Sequence, residues 1–271
     1  MFISPDEHIL IMEDDFAKFY DDRDLEKLKE AGIRTIYVPR AVEYKNGILD
    51  VAQFYARTRK YEDFKILLPF YYGSVDKPVK EIYDEVRALC DYNAQLVYAV
   101  PEGGEFLWDT LIVKDFPKFD DQIIDEIITA QKLLVKQYGE VWLHLHNYLG
   151  DIRNWNNTHL EVVYKAVRNE FPNIPFYSVQ FAHFAVANNP TGEDVQLKIK
   201  YYYEKYGIKS FVGSEYCEGL ISNFDKAVEQ KAYGFITSPI HSLQKIKHSS
   251  IEPWMVDTIL STNRKLNEIW L

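Results

Sequence analysis

The sequence has few cysteines, few basic residues and few long apolar runs. Its 271 residues include only two cysteines, Cys90 and Cys217, which excludes a disulfide framework as the basis of the fold. No apolar run approaches the ~18 residues that a membrane span requires. Lys and Arg total 31 against 41 Asp and Glu, a net charge of −10, and they form no cluster. This charge argues against nucleic acid and anionic membrane surfaces as partners.

The first residues, Met1 to Glu7, lack a basic region followed by an apolar core. They therefore do not resemble a signal peptide, and we expect a cytoplasmic protein. Cys217 lies close to Glu215 and could serve as a nucleophile. No histidine neighbours it in sequence, so a small packed thiol is the favoured interpretation.

Strand and helix patterns alternate about eight times along the whole chain. The predicted strands span residues 8–12, 33–39, 65–70, 94–100, 140–145, 175–181, 208–214 and 234–237. The predicted helices span residues 24–31, 51–59, 77–92, 120–138, 158–171, 194–206, 223–230 and 252–270. Such alternation without a linker predicts a parallel sheet in one α/β domain over residues 1–271. Eight units in this length favour a closed (β/α)8 TIM barrel.

An open doubly wound sheet is the alternative fold. That fold usually carries a glycine-rich phosphate loop after its first strand. Here the corresponding position holds Glu13, Asp14 and Asp15 instead, which favours the barrel.

Polar and aromatic side chains follow most of the predicted strands. In a TIM barrel the carboxyl ends of the strands form one rim, which carries the active site. The candidate substrate-binding residues at these ends are Asp14, Arg40, Tyr72, Trp108, His146, Asn147, Gln180 and Tyr216. The chain is also rich in aromatics, at 15%, which suits a site for sugar rings and equally suits a well-packed core.

Glutamates follow the predicted fourth and seventh strands, on opposite sides of the barrel opening. Glu102 and Glu105 come after the fourth strand, and Glu215 follows the seventh. Glycoside hydrolysis uses two carboxyl groups that face each other across the scissile bond, one protonated and one ionised. The sequence therefore predicts a carbohydrate substrate and a two-carboxylate glycosidase.

Three stretches resemble the clan A glycoside hydrolases, which are (β/α)8 retaining enzymes. Residues 24–40 (DLEKLKEAGIRTIYVPR) look like the clan's first helix and second strand. Residues 100–105 and 211–216 look like the ends of its fourth and seventh strands. The order of strands and helices resembles the clan over the whole chain, whereas the residue pattern resembles it only in these three stretches.

The resemblance implies a role for each glutamate. Glu215 would be the nucleophile, and Glu102 or Glu105 the acid/base. Tyr177 or His183 would occupy the sixth-strand position that often orients the nucleophile. The clan's mechanism needs no cofactor and no metal.

This sequence departs from the clan pattern at two strand ends. The clan usually has an asparagine before its acid/base glutamate, whereas Pro101 and Gly104 hold those places here. The clan often has a tryptophan at the end of the eighth strand, where this chain has Ser238 and His241.

Two other functions remain open. His144 and His146 share one face of the fifth strand, and with Asp14 or Asp15 and His183 they could hold a divalent metal in a barrel metallohydrolase. A barrel that binds glycans without cleaving them is the other alternative, since binding requires no pair of carboxylates.

Overall fold

The computed structural model of the protein describes residues 2–13, 20–39, 41–71, 77–90, 94–99, 121–145, 158–180, 192–214, 217–240 and 250–271. In chain order the strands within them are β1 (Ile9–Met12), β2 (Thr35–Tyr37), β3 (Tyr44–Lys45), β4 (Ile48–Leu49), β5 (Lys65–Tyr71), β6 (Ala94–Ala99), β7 (Val141–Leu145), β8 (Phe176–Gln180), β9 (Ile208–Ser214) and β10 (Gly234–Thr237).

Eight of these strands form a closed parallel barrel. Their order around the barrel is β1-β2-β5-β6-β7-β8-β9-β10, and β10 pairs with β1 to close it. In that closing ladder Leu10 lies opposite Ile236. The predicted (β/α)8 barrel is therefore confirmed, and the open doubly wound sheet is excluded.

Helices separate the barrel strands along the described chain. They are α1 (Asp22–Glu30), α2 (Val51–Thr58), α3 (Val79–Leu89), α4 (Asp121–Tyr138), α5 (Thr158–Glu170), α6 (Gly192–Tyr206), α7 (Cys217–Ser222), α8 (Phe224–Glu229) and α9 (Pro253–Trp270). A short 3-10 helix, Arg59–Tyr61, extends α2. None of the helices in these ranges is long and apolar enough to cross a membrane.

Alternate strand residues face two different apolar layers. Leu10, Trp142 and Phe211 belong to a buried cluster that fills the barrel interior. Ile9 and Ile11, which flank Leu10, belong to a larger cluster between the barrel and its helices. This is the period-2 alternation of a strand, and it tells which side of the barrel wall a strand residue faces.

Gly234 allows close packing at the start of β10. A Cβ built on Gly234 would lie 2.1 Å from the carbonyl oxygen of His8 and 2.8 Å from the ring of Phe211. Any side chain at this position would therefore clash with the backbone of His8, immediately before β1. This close approach of two backbones explains why a glycine occupies position 234.

Two elements were not predicted. β3 and β4 form an antiparallel hairpin whose turn residues, Asn46 and Gly47, both have positive φ values (53° and 76°). Asn-Gly at such a turn is a strong hairpin signal. The helix α7 begins at Cys217, three residues after the last residue of β9, in a stretch for which no helix was predicted.

The first helix is capped by Asp21. The Asp21 carboxylate accepts a hydrogen bond from the backbone N–H of Asp24 at 2.9 Å, and the Asp24 side chain completes a capping box.

Candidate active site

The carboxyl ends of the eight barrel strands meet at one end of the barrel, which we call the mouth. In parallel barrels this end carries the active site. The last residues of the eight strands are Met12, Tyr37, Tyr71, Ala99, Leu145, Gln180, Ser214 and Thr237. They identify the chain positions from which functional side chains can reach the mouth.

The fourth and seventh strands of the barrel are β6 and β9. Only β7 and β8 lie between them on the shorter way around the barrel. β6 ends at Ala99, three residues before Glu102, and β9 ends at Ser214, immediately before Glu215. The predicted strand numbers for the glutamates are therefore correct.

Most predicted site residues lie outside the described residues. They are Asp14, Arg40, Tyr72, Glu102, Glu105, Trp108, His146, Asn147, Glu215 and Tyr216. Gln180 is the last residue of β8, and only its backbone is described. Their roles remain predictions.

Tyr177 does not lie at the mouth. It is the second residue of β8, near the amino end of the barrel, and about 1% of it is exposed. Its ring stacks on Trp142, with 4.7 Å between the ring centroids, and lies 5.9 Å from the ring of Tyr233. The expectation that Tyr177 orients a nucleophile is therefore corrected: it is a core residue, and it precedes the carboxyl end of its strand by three residues.

Glu13 is a buried carboxylate at the end of β1. Arg57 of α2 donates two hydrogen bonds to its Oε2, from Nε at 3.0 Å and Nη2 at 2.7 Å. The Tyr61 hydroxyl donates to Oε1 at 3.3 Å. Glu13 continues the alternation of Ile9 and Ile11, so its side chain enters the helix layer and not the barrel interior. The arrangement joins β1 to α2 just beneath the mouth.

The buried Glu13 carboxylate also affects Tyr61. Burial is the largest cause of a strongly raised pKa of the Tyr61 phenol, and the neighbouring Glu13 charge adds to it. The phenol therefore stays protonated and serves as a hydrogen-bond donor. The Arg57 partner could not be recognised from the sequence, because it follows Glu13 by 44 residues.

Two buried hydroxyls lie at the end of the eighth barrel strand. Thr237 ends β10, and Ser238 follows it; their exposures are 0% and 1%. Among the described residues, neither Thr237 Oγ1 nor Ser238 Oγ has a hydrogen-bond partner. From the sequence, Ser238 is only a departure from the clan pattern, because burial and missing partners cannot be recognised from residue type.

Cys217 is a packed thiol, as predicted. It is fully buried at the start of α7 and is not part of a disulfide. Burial raises the pKa of its thiol strongly, with a smaller effect from Glu218. A thiol in this state is a poor nucleophile at neutral pH.

The described residues offer no metal centre. Within those ranges no three His, Cys, Asp or Glu side chains are grouped so as to hold an ion. Of the residues proposed for a metal, His144 is described by its backbone alone, as the fourth residue of β7. His146, Asp14, Asp15 and His183 lie outside the described residues.

A concavity of about 520 Å³ opens at the opposite end of the barrel. It lies beside the amino ends of β8 and β9, and its lining includes Arg168, Lys205 and Lys209. Arg168 donates to the carbonyls of Tyr206 and Ile174, and Lys205 pairs with Glu161. These contacts join helix ends to the barrel.

Structural comparison relates the barrel to glycan-cleaving enzymes. The catalytic domain of a chitinase from Pyrococcus furiosus matches with a TM-score of 0.56, 13% identity and coverage of 96% of each chain. A psychrophilic glycoside hydrolase family 10 endo-β-1,4-xylanase matches with a TM-score of 0.56, 11% identity and coverage of 93% of this chain and 96% of that one.

An endocellulase from Pyrococcus horikoshii matches with a TM-score of 0.51, 10% identity and coverage of 88% of this chain and 85% of that one. No protein-family model matches the sequence, and no curated protein sequence matches it. At these identities the likeness shows the fold alone. The predicted resemblance to barrel glycoside hydrolases is thus confirmed for the fold, and no family is specified.

Proposed function

We propose that this chain is a retaining glycoside hydrolase, with Glu215 as the nucleophile and Glu102 or Glu105 as the acid/base. The observation that carries the proposal is the position of β9 as the seventh strand of a closed barrel, ending one residue before Glu215. In this fold a carboxylate directly beyond a strand's carboxyl end is well placed for catalysis.

The alternation of β9 supports the choice of Glu215. Phe211 belongs to the interior cluster, whereas Ile208 and Val212 belong to the helix layer. Gly213 follows Phe211 by two residues and shares its side of the wall; for Glu215, which lies outside the described residues, we expect the same side. A carboxylate on that side at the mouth would face a substrate that enters the barrel.

The second carboxyl group would come from the loop beyond β6. Val97 faces the interior cluster, and β6 ends two residues later at Ala99. Glu102 and Glu105 follow within six residues of that end. A group there would approach the scissile bond from across β7 and β8, as a two-carboxylate mechanism requires.

The proposed reaction has two displacements. In the first, a Glu215 oxygen bonds to the anomeric carbon while the glycosidic oxygen leaves and takes the proton of Glu102 or Glu105. In the second, that same glutamate, now ionised, removes a proton from water, and the water oxygen displaces Glu215. The sugar departs with its anomeric configuration retained and both carboxyl groups restored.

The comparisons add support by analogy. Three structures with a similar barrel are named as a chitinase, an endocellulase and a xylanase, all of which are glycoside hydrolases. TIM barrels host many unrelated reactions, so this analogy favours carbohydrate as the substrate class and does not replace the residue argument.

The direct test compares two glutamates that are three residues apart. Glu215→Gln should lower kcat against aryl glycosides by at least about 1000-fold, because removal of a nucleophile abolishes its covalent step. Glu218→Gln is the matched control, since Glu218 is an exposed residue of α7. Full activity of Glu215→Gln would overturn the proposal, whereas loss of activity with a chelator would favour the metallohydrolase.

A further inference from the structure

The concavity at the amino end of the barrel is lined by basic side chains without an acidic one. The basic residues are Arg168, Lys205 and Lys209, and no Asp or Glu is among the described residues of its lining. The chain as a whole has a net charge of −10, so this lining has the opposite sign to the protein. A local excess of positive charge in a concave surface attracts anions.

The charge of Lys205 is already balanced. Its Nζ lies 2.6 Å from Glu161 Oε1. This contact is the main cause that holds the pKa of Glu161 at about 2, and the hydroxyls of Tyr201 and Tyr206 add to it. The excess of positive charge in the lining therefore comes from the other two cations.

Arg168 is half-buried, and its hydrogen bonds within the described ranges go to backbone carbonyls and not to a carboxylate. Its Nε donates to the carbonyl of Tyr206 at 2.7 Å, and its Nη1 donates to that of Ile174 at 2.9 Å. Burial lowers the pKa of the guanidinium. Carbonyl groups satisfy its donors but do not neutralise its charge, and charges removed from water are usually paired.

Gly207 leaves the second terminal nitrogen of Arg168 uncovered. Among the described residues, Nη2 has no hydrogen-bond acceptor, and a Cβ built on Gly207 would lie 3.7 Å from it. The φ of +64° already favours glycine at this helix end. The missing side chain has a second effect, because it leaves the lining open beside a charged donor.

Lys209, two residues beyond Gly207, is also half-buried without a counter-ion. Its Nζ lies 4.6 Å from the centre of the Tyr233 ring and 5.8 Å from that of Tyr177. In the part of the chain that the structure describes, it makes no hydrogen bond and no ion pair. Burial lowers its pKa, and the charge of Glu140 opposes that shift only in part. Aromatic faces attract a cation but leave its charge in place.

We propose that this concavity binds the phosphate group of a small phosphate ester, with Arg168 Nη2 and Lys209 Nζ as donors. A phosphate monoester carries nearly two negative charges at neutral pH, which matches two cations without counter-ions. Arginine and lysine both recognise phosphate well. The volume of about 520 Å³ exceeds that of a phosphate group alone, so it has room for the organic part of the ligand.

The proposed site is separate from the mouth and does not depend on the proposed glycosidase. The concavity lies beside the amino ends of β8 and β9, whereas the mouth lies at their carboxyl ends. Its test therefore uses binding as the readout and not turnover.

The experiment titrates the wild type with inorganic phosphate at constant ionic strength and follows binding by phosphorus NMR. We expect saturable binding with a Kd of about 1 mM or below. Lys209→Met keeps the apolar stem but removes the charge, and it should weaken binding at least about 10-fold. Lys209→Arg should retain most of the affinity, and Arg168→Lys, which lacks Nη2, should weaken it.

Lys200→Met is the matched control. Lys200 is an exposed residue of α6 outside the lining, so this variant removes one positive charge without touching the concavity. Its affinity for phosphate should equal that of the wild type. Circular dichroism of each variant shows whether it is folded.

Three results would overturn the proposal. The first is a wild type that does not bind phosphate saturably below about 10 mM. The second is equal loss of affinity in Lys209→Met and Lys200→Met, which would show a general effect of charge. The third is acetate binding as tightly as phosphate at the same ionic strength, which would exclude recognition of a doubly charged group. None of these results bears on the role of Glu215.

Discussion

Arg57 and Glu13 form a buried ion pair that joins α2 to the carboxyl end of β1. Two guanidinium nitrogens contact the same carboxylate oxygen, at 3.0 and 2.7 Å, and the Glu13 side chain is fully buried. The pair lies just beneath the mouth of the barrel, on the helix side of its wall. The pair therefore stabilises the strand end from the helix side of the wall. Residues that contact a substrate would lie on the interior side.

Breaking this pair should destabilise the barrel. Arg57→Met leaves the Glu13 carboxylate buried without its cation, and we expect the free energy of unfolding to fall by about 3–5 kcal/mol. Urea unfolding monitored by circular dichroism measures the change. Lys29→Met is the control, because Lys29 pairs with Glu26 and Asp63 at the surface, where solvent screens the charges, so its removal should change the free energy of unfolding far less.

The double variant Glu13→Leu, Arg57→Met separates charge burial from packing. It removes both charges, so much of the loss in the single variant should be recovered. If Arg57→Met is as stable as the wild type, the buried Glu13 carboxylate does not depend on the Arg57 cation.

Gly234→Ala should destabilise the barrel because its new Cβ would meet the His8 carbonyl oxygen at 2.1 Å. That oxygen accepts the hydrogen bond of Phe235 N–H at 2.8 Å, so it cannot move without loss of the β1–β10 ladder. We expect the free energy of unfolding to fall by at least about 3 kcal/mol, which urea unfolding measures. Gly139→Ala is the control: φ is +74° there, but no atom lies within 4 Å of its Cβ, so its cost should be only about 1 kcal/mol. Equal losses in the two variants would contradict the steric argument.

His8 should make the protein less stable in acid. Burial is the main cause that lowers its pKa below 6.5, and its hydrogen bond with the Tyr233 carbonyl opposes that shift only in part. The unfolded chain therefore binds a proton that the folded chain does not. The stabilisation is present above the unfolded pKa of about 6.5 and is lost as the pH falls from there through the folded pKa.

The expected slope is at most about 1.4 kcal/mol per pH unit for this one group. Urea unfolding of the wild type and of His8→Asn between pH 7.5 and about 5 measures it, because the variant lacks the titrating ring. Identical pH dependence in the two proteins would show that His8 binds its proton equally in the folded and unfolded states.

The choice between Glu102 and Glu105 is also testable. Replacing the acid/base by Ala should slow substrates with poor leaving groups far more than activated aryl glycosides, whose leaving group needs no proton. Added azide should restore turnover in that variant alone, because azide attacks the glycosyl-enzyme without a general base. Kinetics of Glu102→Ala and Glu105→Ala on both substrate types measure the effect. Equal sensitivity to the leaving group in wild type and both variants would exclude both residues.

The sequence predicted the barrel well because each strand and helix carries its own periodicity. The seventh and eighth strands were predicted with the bounds observed, 208–214 and 234–237. Long-range contacts were not predictable in this way. The Glu13–Arg57 pair spans 44 residues, and neither residue type indicates its partner.

The candidate site was predicted from the strand that each residue belongs to or follows. This approach does not show how far along the strand a residue lies. Tyr177 belongs to the correct strand, but its position near the amino end puts it in the core. Strand order can be inferred from alternating segments, whereas depth along the barrel axis requires the ladder itself.

As the proposed nucleophile, Glu215 would form a covalent bond with the sugar. Incubation with an activated 2-deoxy-2-fluoroglycoside of a sugar that the wild type cleaves slows the second displacement and accumulates the intermediate. Intact-protein mass spectrometry followed by peptide mapping identifies the labelled residue. We expect one fluoroglycosyl group on Glu215 in the wild type and none in Glu215→Gln. Steady turnover of the substrate with no label, or a label on another residue, would contradict it.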